Sequence, residues 1–255
     1  MTGCVGRALL AAACLGATAA HAQSCSAVSG PRRAALVELY TSEGCSSCPP
    51  ADRQLGLVGA PVNGNVVALA LHVNFWDHIG WKDPFARAEF TERQRWLVGA
   101  NGGRTLYTPH FFVGGAEVGD RSRLGEAIRQ ASSRPAGAVV RINVSRAADA
   151  SLALRASAAD VPPKGQPVLH AAVTENGLST RVTAGENRGA TLAHDHVVRH
   201  WFKPVAFLAG AAEMAQSVTL SPEQAKKGVA VVAFVQDTRT GEVLQAVTTG
   251  VCRAG

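Results

Sequence analysis

The chain has 255 residues, 47% of them hydrophobic and 17% charged, with a formal net charge of +6. That balance supplies apolar material for one large or two small cores. Arg and Lys are scattered singly rather than gathered in a block, so the positive charge reads as a solvated surface and no nucleic-acid partner is expected.

Residues 1–22 read as a secretory signal. Arg7 precedes the apolar run Ala8-Leu9-Leu10-Ala11-Ala12-Ala13-Cys14-Leu15, and Ala20-His21-Ala22 offers a small-residue cleavage site. Cleavage would start the mature chain at Gln23 and, by removing Arg7, lower the charge from +6 to +5. Lipidation at Cys25 is the rival reading, but Ala22-Gln23-Ser24 is a poor leader for it. The apolar run is too short to span a bilayer and no later segment reaches that length. The expectation is a protein without stable membrane insertion, periplasmic or secreted.

From Ala34 to about Ala131 the pattern alternates between strand and helix periods. Leu36 to Tyr40 reads as a buried strand, Pro49 to Val58 as a short helix, and Val66 to Phe75 as a second, continuous apolar strand. Pro84 to Gly99 suits a helix, with Glu89 and Glu92 early and Arg93 and Arg95 later. A third strand and turn follow over Tyr107 to Gly115, then a short strand at Glu117-Val118 and a helix from Ser122 to Ser132. Beyond Ser133-Arg134-Pro135-Ala136-Gly137 the runs are short and β-branched: Val139 to Val144, Leu152 to Ala156, Val168 to Val173, His196 to Phe202, Ser217 to Leu220, Val229 to Gln236 and Val243 to Thr248. Turn signals at Glu175-Asn176-Gly177 and Arg239-Thr240-Gly241 separate them, which suggests an antiparallel, sandwich-like unit. The division expected is therefore 1–22 signal, 23–135 α/β, and 136–255 β-rich.

Without the signal the cysteines are Cys25, Cys45, Cys48 and Cys252. Four cysteines allow three connectivities. Cys25 and Cys252 lie at the two ends of the mature chain, and chain ends often meet, so they are candidates for a structural disulfide. Cys45-Ser46-Ser47-Cys48 follows a strand and precedes Pro49-Pro50 at a helix start. The positive end of that helix and its unpaired N–H groups would lower a thiol pKa, making Cys45 a nucleophile and Cys48 the resolving thiol. Cys-x-x-Cys is also compatible with an inert disulfide or half a zinc site, and no second pair completes the latter. The Thr108-Pro109 step favours redox chemistry, because in thioredoxin-like folds such a proline is cis and faces the dithiol, where the preceding residue can bond an extended substrate.

Glu38 lies inside an apolar strand and is a candidate proton acceptor for Cys48, the alternative being an exposed position at the sheet edge or an arginine partner. Trp76 and Trp81, in His72 to Pro84, are candidates for an apolar wall against a peptide substrate. His72 and His78 with the cysteines would make a soft copper or zinc site, but two histidines in a loop are more often hydrogen-bonded structure, and no metal ligand or cofactor is assigned. Glu186-Asn187-Arg188-Gly189 and His194-Asp195-His196 are explained by turn chemistry, and a Ser/His/Asp hydrolase is discarded for want of a Gly-x-Ser-x-Gly elbow.

Val37 to Asp52, His72-Val73-Asn74-Phe75-Trp76-Asp77, Gly80 to Phe85, Tyr107-Thr108-Pro109 and Glu186-Asn187-Arg188-Gly189 together resemble a bacterial secreted family catalogued as domain of unknown function 1223. The resemblance spans nearly the whole mature chain. It implies an α/β thioredoxin-like domain followed by a β-rich sandwich-like domain, and it assigns no activity. Members tend to carry Gln after the Thr-Pro step, where this chain has His110. The functional expectation is a thiol-disulfide oxidoreductase acting on protein or small thiols and disulfides with an unidentified redox partner. A non-catalytic partner-binding module and a copper- or zinc-handling protein are the alternatives.

Overall fold

The computed structural model describes residues 24–59, 65–146, 151–162 and 165–252. The signal expected over 1–22 lies outside the described residues. In chain order the elements are β1 (Ser24–Val28), β2 (Ala35–Thr41), α1 (Pro49–Val58), β3 (Val66–His72), α2 (Ala88–Ala100), β4 (His110–Val113), β5 (Ala116–Val118) and α3 (Leu124–Ser132). There follow β6 (Val139–Arg146), β7 (Ser151–Ala159), β8 (Pro167–Glu175), β9 (Leu178–Arg181), β10 (Thr191–His194), β11 (Val197–Trp201) and β12 (Val205–Ala206). The chain closes with β13 (Ala212–Thr219), α4 (Pro222–Lys227), β14 (Val229–Asp237) and β15 (Val243–Cys252).

Among the described residues these strands form one nine-stranded sheet, one four-stranded sheet and a separate β9–β10 hairpin. The large sheet runs β15-β14-β8-β11-β3-β2-β4-β5, with β12 also on β8. Strands from both sides of residue 135 therefore share it. The joint is β11, which pairs antiparallel with β8 and parallel with β3 through Val197 and Ala70. This corrects the expected thioredoxin-like α/β fold. The chain is mostly β-sheet and sandwich-like, because the α/β segment adds its strands to a sheet that the later strands complete.

Side-chain alternation explains the layers. Leu169, Ala171 and Val173 of β8 and Val229, Val231, Ala233 and Val235 of β14 point to one face, where they pack on Val140, Ile142, Leu152, Leu154 and Met214 of the four-stranded sheet β1-β6-β7-β13. That is a sandwich. At the other end of the large sheet, Leu36 and Tyr40 of β2 face α2 through Phe90 and Leu97, while Val37 and Leu39 face Ala51 and Leu55 of α1. The central strands are buried on both faces, which is why they read as continuous apolar runs.

Cys25 on β1 is bonded to Cys252 at the end of β15, with Cα atoms 6.0 Å apart. The bridge ties an edge strand of one sheet to the edge of the other. Among the described residues no helix is long and apolar enough to cross a membrane.

Candidate functional site

The sharp turn after β2 carries Ser42 to Cys48 to the head of α1, and Cys45 and Cys48 are joined there in a second disulfide, Cα atoms 5.4 Å apart. Cys48 is the N-cap residue, and prolines occupy the first two helical positions. Pro49 and Pro50 have no N–H to offer, and the Cys48 and Ala51 amides are spent on the Cys45 and Cys48 carbonyls. The expected stabilisation of a thiolate by free N–H groups is thus reduced to the helix dipole. The Ser47 hydroxyl, 3.4 Å from Cys45 Sγ, is a further candidate donor to it. Ser46 and Ser47 are exposed, yet Cys45 is only 1% exposed and Cys48 0%.

Trp76 and Trp81 bracket this turn. Trp76 passes so close to Gly44 that a Cβ there would lie 3.0 Å from the Trp76 Cβ, and its indole N–H donates to Thr108 Oγ1 at 2.7 Å. The Thr108–Pro109 peptide is cis. One tryptophan thereby links the disulfide turn to the Thr-Pro step. Trp81 Nε1 donates to Glu43 Oε2 at 2.9 Å. Both rings are half-buried and hydrogen-bonded, so each is anchored as well as presented.

Beneath the turn lies a buried polar cluster. Asp83 Oδ2 bonds His72 Nδ1 at 2.7 Å and accepts the Glu43 backbone N–H at 2.8 Å. Glu43 Oε1 meets His194 Nε2 at 3.1 Å, and His194 Nδ1 lies 3.9 Å from Asp52 Oδ2. The two imidazole rings stand edge to face, centroids 5.0 Å apart. Burial pulls His72 down, but the carboxylates of Asp83, Asp52 and Glu43 outweigh it, so its pKa is raised. Burial pushes Asp83 up, but His72 and two backbone N–H groups hold it below the usual range. For Asp52 burial prevails over both histidines and the pKa is raised. His72 and His78 do not converge, since His78 is exposed and bonds the Phe75 carbonyl at 2.8 Å. Among the described residues no group of three or more His, Cys, Asp or Glu has the arrangement of a metal site.

Glu38 sits elsewhere. It shares a face with Leu36 and Tyr40, away from α1, where Arg93 Nε donates to its Oε1 at 2.6 Å and Tyr40 OH at 3.3 Å. Arg93 also donates to Gln236 at 3.0 Å and lies 4.8 Å from the centre of the Trp201 ring. The proposed proton-acceptor role is corrected on this ground: the arginine-paired alternative describes Glu38. Its position seven residues before Cys45 does not reveal which face of β2 it takes.

The loop from β9 to β10 also belongs to the site. Asn187 Nδ2 donates to the Glu43 carbonyl at 2.8 Å and the Cys45 carbonyl at 3.0 Å, and Glu186 Oε2 accepts the Ser46 N–H at 2.9 Å. Turn chemistry is therefore only part of what Glu186 and Asn187 do. Glu43, Asp52, Asp83 and His194 were likewise unassigned from sequence. Glu43 and Asp52 flank the cysteines, which was a usable signal; His194 offered none.

A model for a family described as protein of unknown function (DUF1223) matches residues 36–236. No curated protein matches. Among solved structures, the crystal structure of a protein from Agrobacterium tumefaciens is 25% identical over 84% of this chain and 92% of its own, with a TM-score of 0.57. HBP35 of Porphyromonas gingivalis is 15% identical over 86% of this chain and 76% of its own, with a TM-score of 0.64, a likeness of fold alone. With most of its length inside the family's match, the chain belongs to the DUF1223 family of proteins of unknown function.

Proposed function

We propose that the chain is a thiol-disulfide oxidoreductase of the periplasm or extracellular space, with protein or small thiols and disulfides as substrates. The observation that carries the reading is the Cys45–Cys48 disulfide at the head of α1, joined to the Thr108–Pro109 step by Trp76. In the oxidising direction a partner's thiolate bonds to Cys45 Sγ, the Cys45–Cys48 bond breaks, and the electron pair leaves on Cys48 Sγ. A second partner thiolate then displaces Cys45 as thiolate, so the partner leaves with a disulfide. The two thiolates take up protons from solvent or from groups nearby. The reducing direction is the same sequence reversed. Trp76 and Trp81 flank the reacting turn as apolar walls, and the Thr108 backbone is the dock for an extended substrate. Two disulfides and a signal-like start agree with an oxidising compartment, where disulfides form and persist.

The test is pH-dependent alkylation of the reduced protein, with Cys45 followed by peptide mapping. The expected result is a Cys45 pKa below the free-thiol value of about 8.5, with Cys45→Ser abolishing exchange with a glutathione buffer. A pKa at about 8.5, or a disulfide that glutathione never reduces, overturns the proposal.

A further inference from the structure

The turn that holds Cys45 and Cys48 is open at Ser46 and Ser47, yet both sulfur-bearing residues are sealed. The segment between β9 and β10 lies against this turn. Its ends are pinned: the Val182 N–H donates to the Ala190 carbonyl and the Gly189 N–H to the Val182 carbonyl, both at 2.9 Å. Below them β9 and β10 form a four-pair antiparallel ladder from Leu178–His194 to Arg181–Thr191, and His194 anchors that ladder to Glu43. Between the pins, Gly185 and Gly189 take left-handed φ values of +69° and +88°, which glycine adopts without cost. Gly185 packs on Trp81, where a Cβ would come within 3.2 Å of the Trp81 Cβ.

What crosses to the disulfide is small. Three hydrogen bonds join the backbone of its turn to two side chains: the Asn187 amide donates to the Glu43 and Cys45 carbonyls, and the Ser46 N–H donates to the Glu186 carboxylate. All three close on the backbone of the reacting turn. Glu186 is exposed and Asn187 half-buried, so this contact has the low density expected of a segment that opens locally.

We propose that Thr183 to Gly189 is a strap that gates the Cys45–Cys48 disulfide, with Asn187 and Glu186 as its latch, so that substrates are selected by size and by their ability to displace it. This rests on the thiol-disulfide reading and adds what controls access. An attacking thiolate must reach Cys45 Sγ from the side away from Cys48, forming one S–S bond as the other breaks and its electron pair leaves on Cys48. With the strap closed Cys45 is only 1% exposed. With the latch released, the Glu43 carbonyl and the Ser46 N–H become free to bond an incoming chain, and the Cys45 carbonyl keeps only its bond from the Cys48 N–H. Asn187 and Glu186 act through access, not on the reacting atoms.

The experiment reduces the oxidised protein with mercaptoethanol and with a thiol-terminated polyethylene glycol, and follows Cys45 and Cys48 by alkylation and peptide mapping, which separates them from Cys25 and Cys252. Asn187→Ala removes two hydrogen bonds, so opening should rise roughly tenfold. Reduction of Cys45–Cys48 should quicken for both thiols, and more for the polymer, so that the wild-type discrimination between them falls. Asn187→Gln should restore part of it. Should Asn187→Ala fold poorly, Glu186→Ala carries the same test with a smaller effect. Equal rates for wild type and both variants with both thiols overturn the strap. If the variants open the site while the pair still fails to equilibrate with glutathione, the strap stands and the oxidoreductase reading falls.

Discussion

Replacing Cys25 and Cys252 together by Ser should remove a large part of the stability of this protein. The bridge spans a sequence separation of 227, and closing a loop of that length in the denatured chain costs entropy equivalent to about 5.5 kcal/mol by the loop-closure relation. The same relation applied to Cys45–Cys48, separation 3, gives only about 1.6 kcal/mol. One disulfide is thus a staple, while the other adds far less stability. About 5.5 kcal/mol is a large share of the roughly 5–15 kcal/mol typical of folded domains. It is an upper bound, because denatured chains keep some structure. Urea unfolding of the double variant and of wild type, followed by tryptophan fluorescence without reductant, measures the difference directly. A loss below about 1 kcal/mol at unchanged m-value would refute the reasoning, since β1 and β15 would then be held by their ladders alone.

Two further outcomes follow from the buried charges and a third from a backbone that only glycine fits. Glu38→Gln should cost about 3–5 kcal/mol by leaving Arg93 buried without a counter-charge, measured by urea unfolding. It should leave the pH profile of Cys45 alkylation unmoved, and a shifted profile would restore Glu38 to the redox step. Asp52 has a folded pKa raised by burial, so its contribution to stability is fully present below its unfolded value of about 3.9 and is lost as pH rises through the folded value. Asp52→Asn should therefore be more stable than wild type at pH 7 and no more stable near pH 3, which paired unfolding curves at the two pH values would check. Gly115→Ala should cost more than about 2 kcal/mol, because its φ is +88° and a Cβ would strike the Gly241 carbonyl; a change of a few tenths in the unfolding midpoint energy would contradict this.

Local structure was legible where one element has one period. The helix at Pro49–Val58 matches its expected limits, because a turn, two prolines and an apolar face mark it from both sides. The strands of β6, β8 and β14 fall within a few residues of the runs that announced them. Five short pieces, β1, β9, β10, β12 and α4, have no counterpart among the expected elements. β9 and β10 have four residues each, and α4 has six, although Ser221 and Gln224 form a capping box that the sequence Ser-Pro-Glu-Gln advertises. The sheet order was not legible at all. Nothing in Val197 or Ala70 says that they will pair across 127 residues of chain, yet that pairing merges two expected domains into one sheet. The site was half readable for the same reason. Cys45, Cys48, Trp76 and Thr108 lie close in sequence or carry a motif, whereas Asn187 and His194 reach Glu43 only once the hairpin is placed. The sequence leaves Glu38 open between proton acceptor and arginine partner, because the arginine that pairs with it, Arg93, is supplied by α2.

The shared sheet makes dissection by halves a misleading experiment on this molecule. A fragment ending near residue 135 would keep β2, β3 and α1 but lose the β11 partner of Ala70 along with Val232 and Phe234 from the face that α2 covers. Its bared strand edge would invite pairing with other copies. Silence from such a fragment would report clumping, and say nothing about its sulfur chemistry.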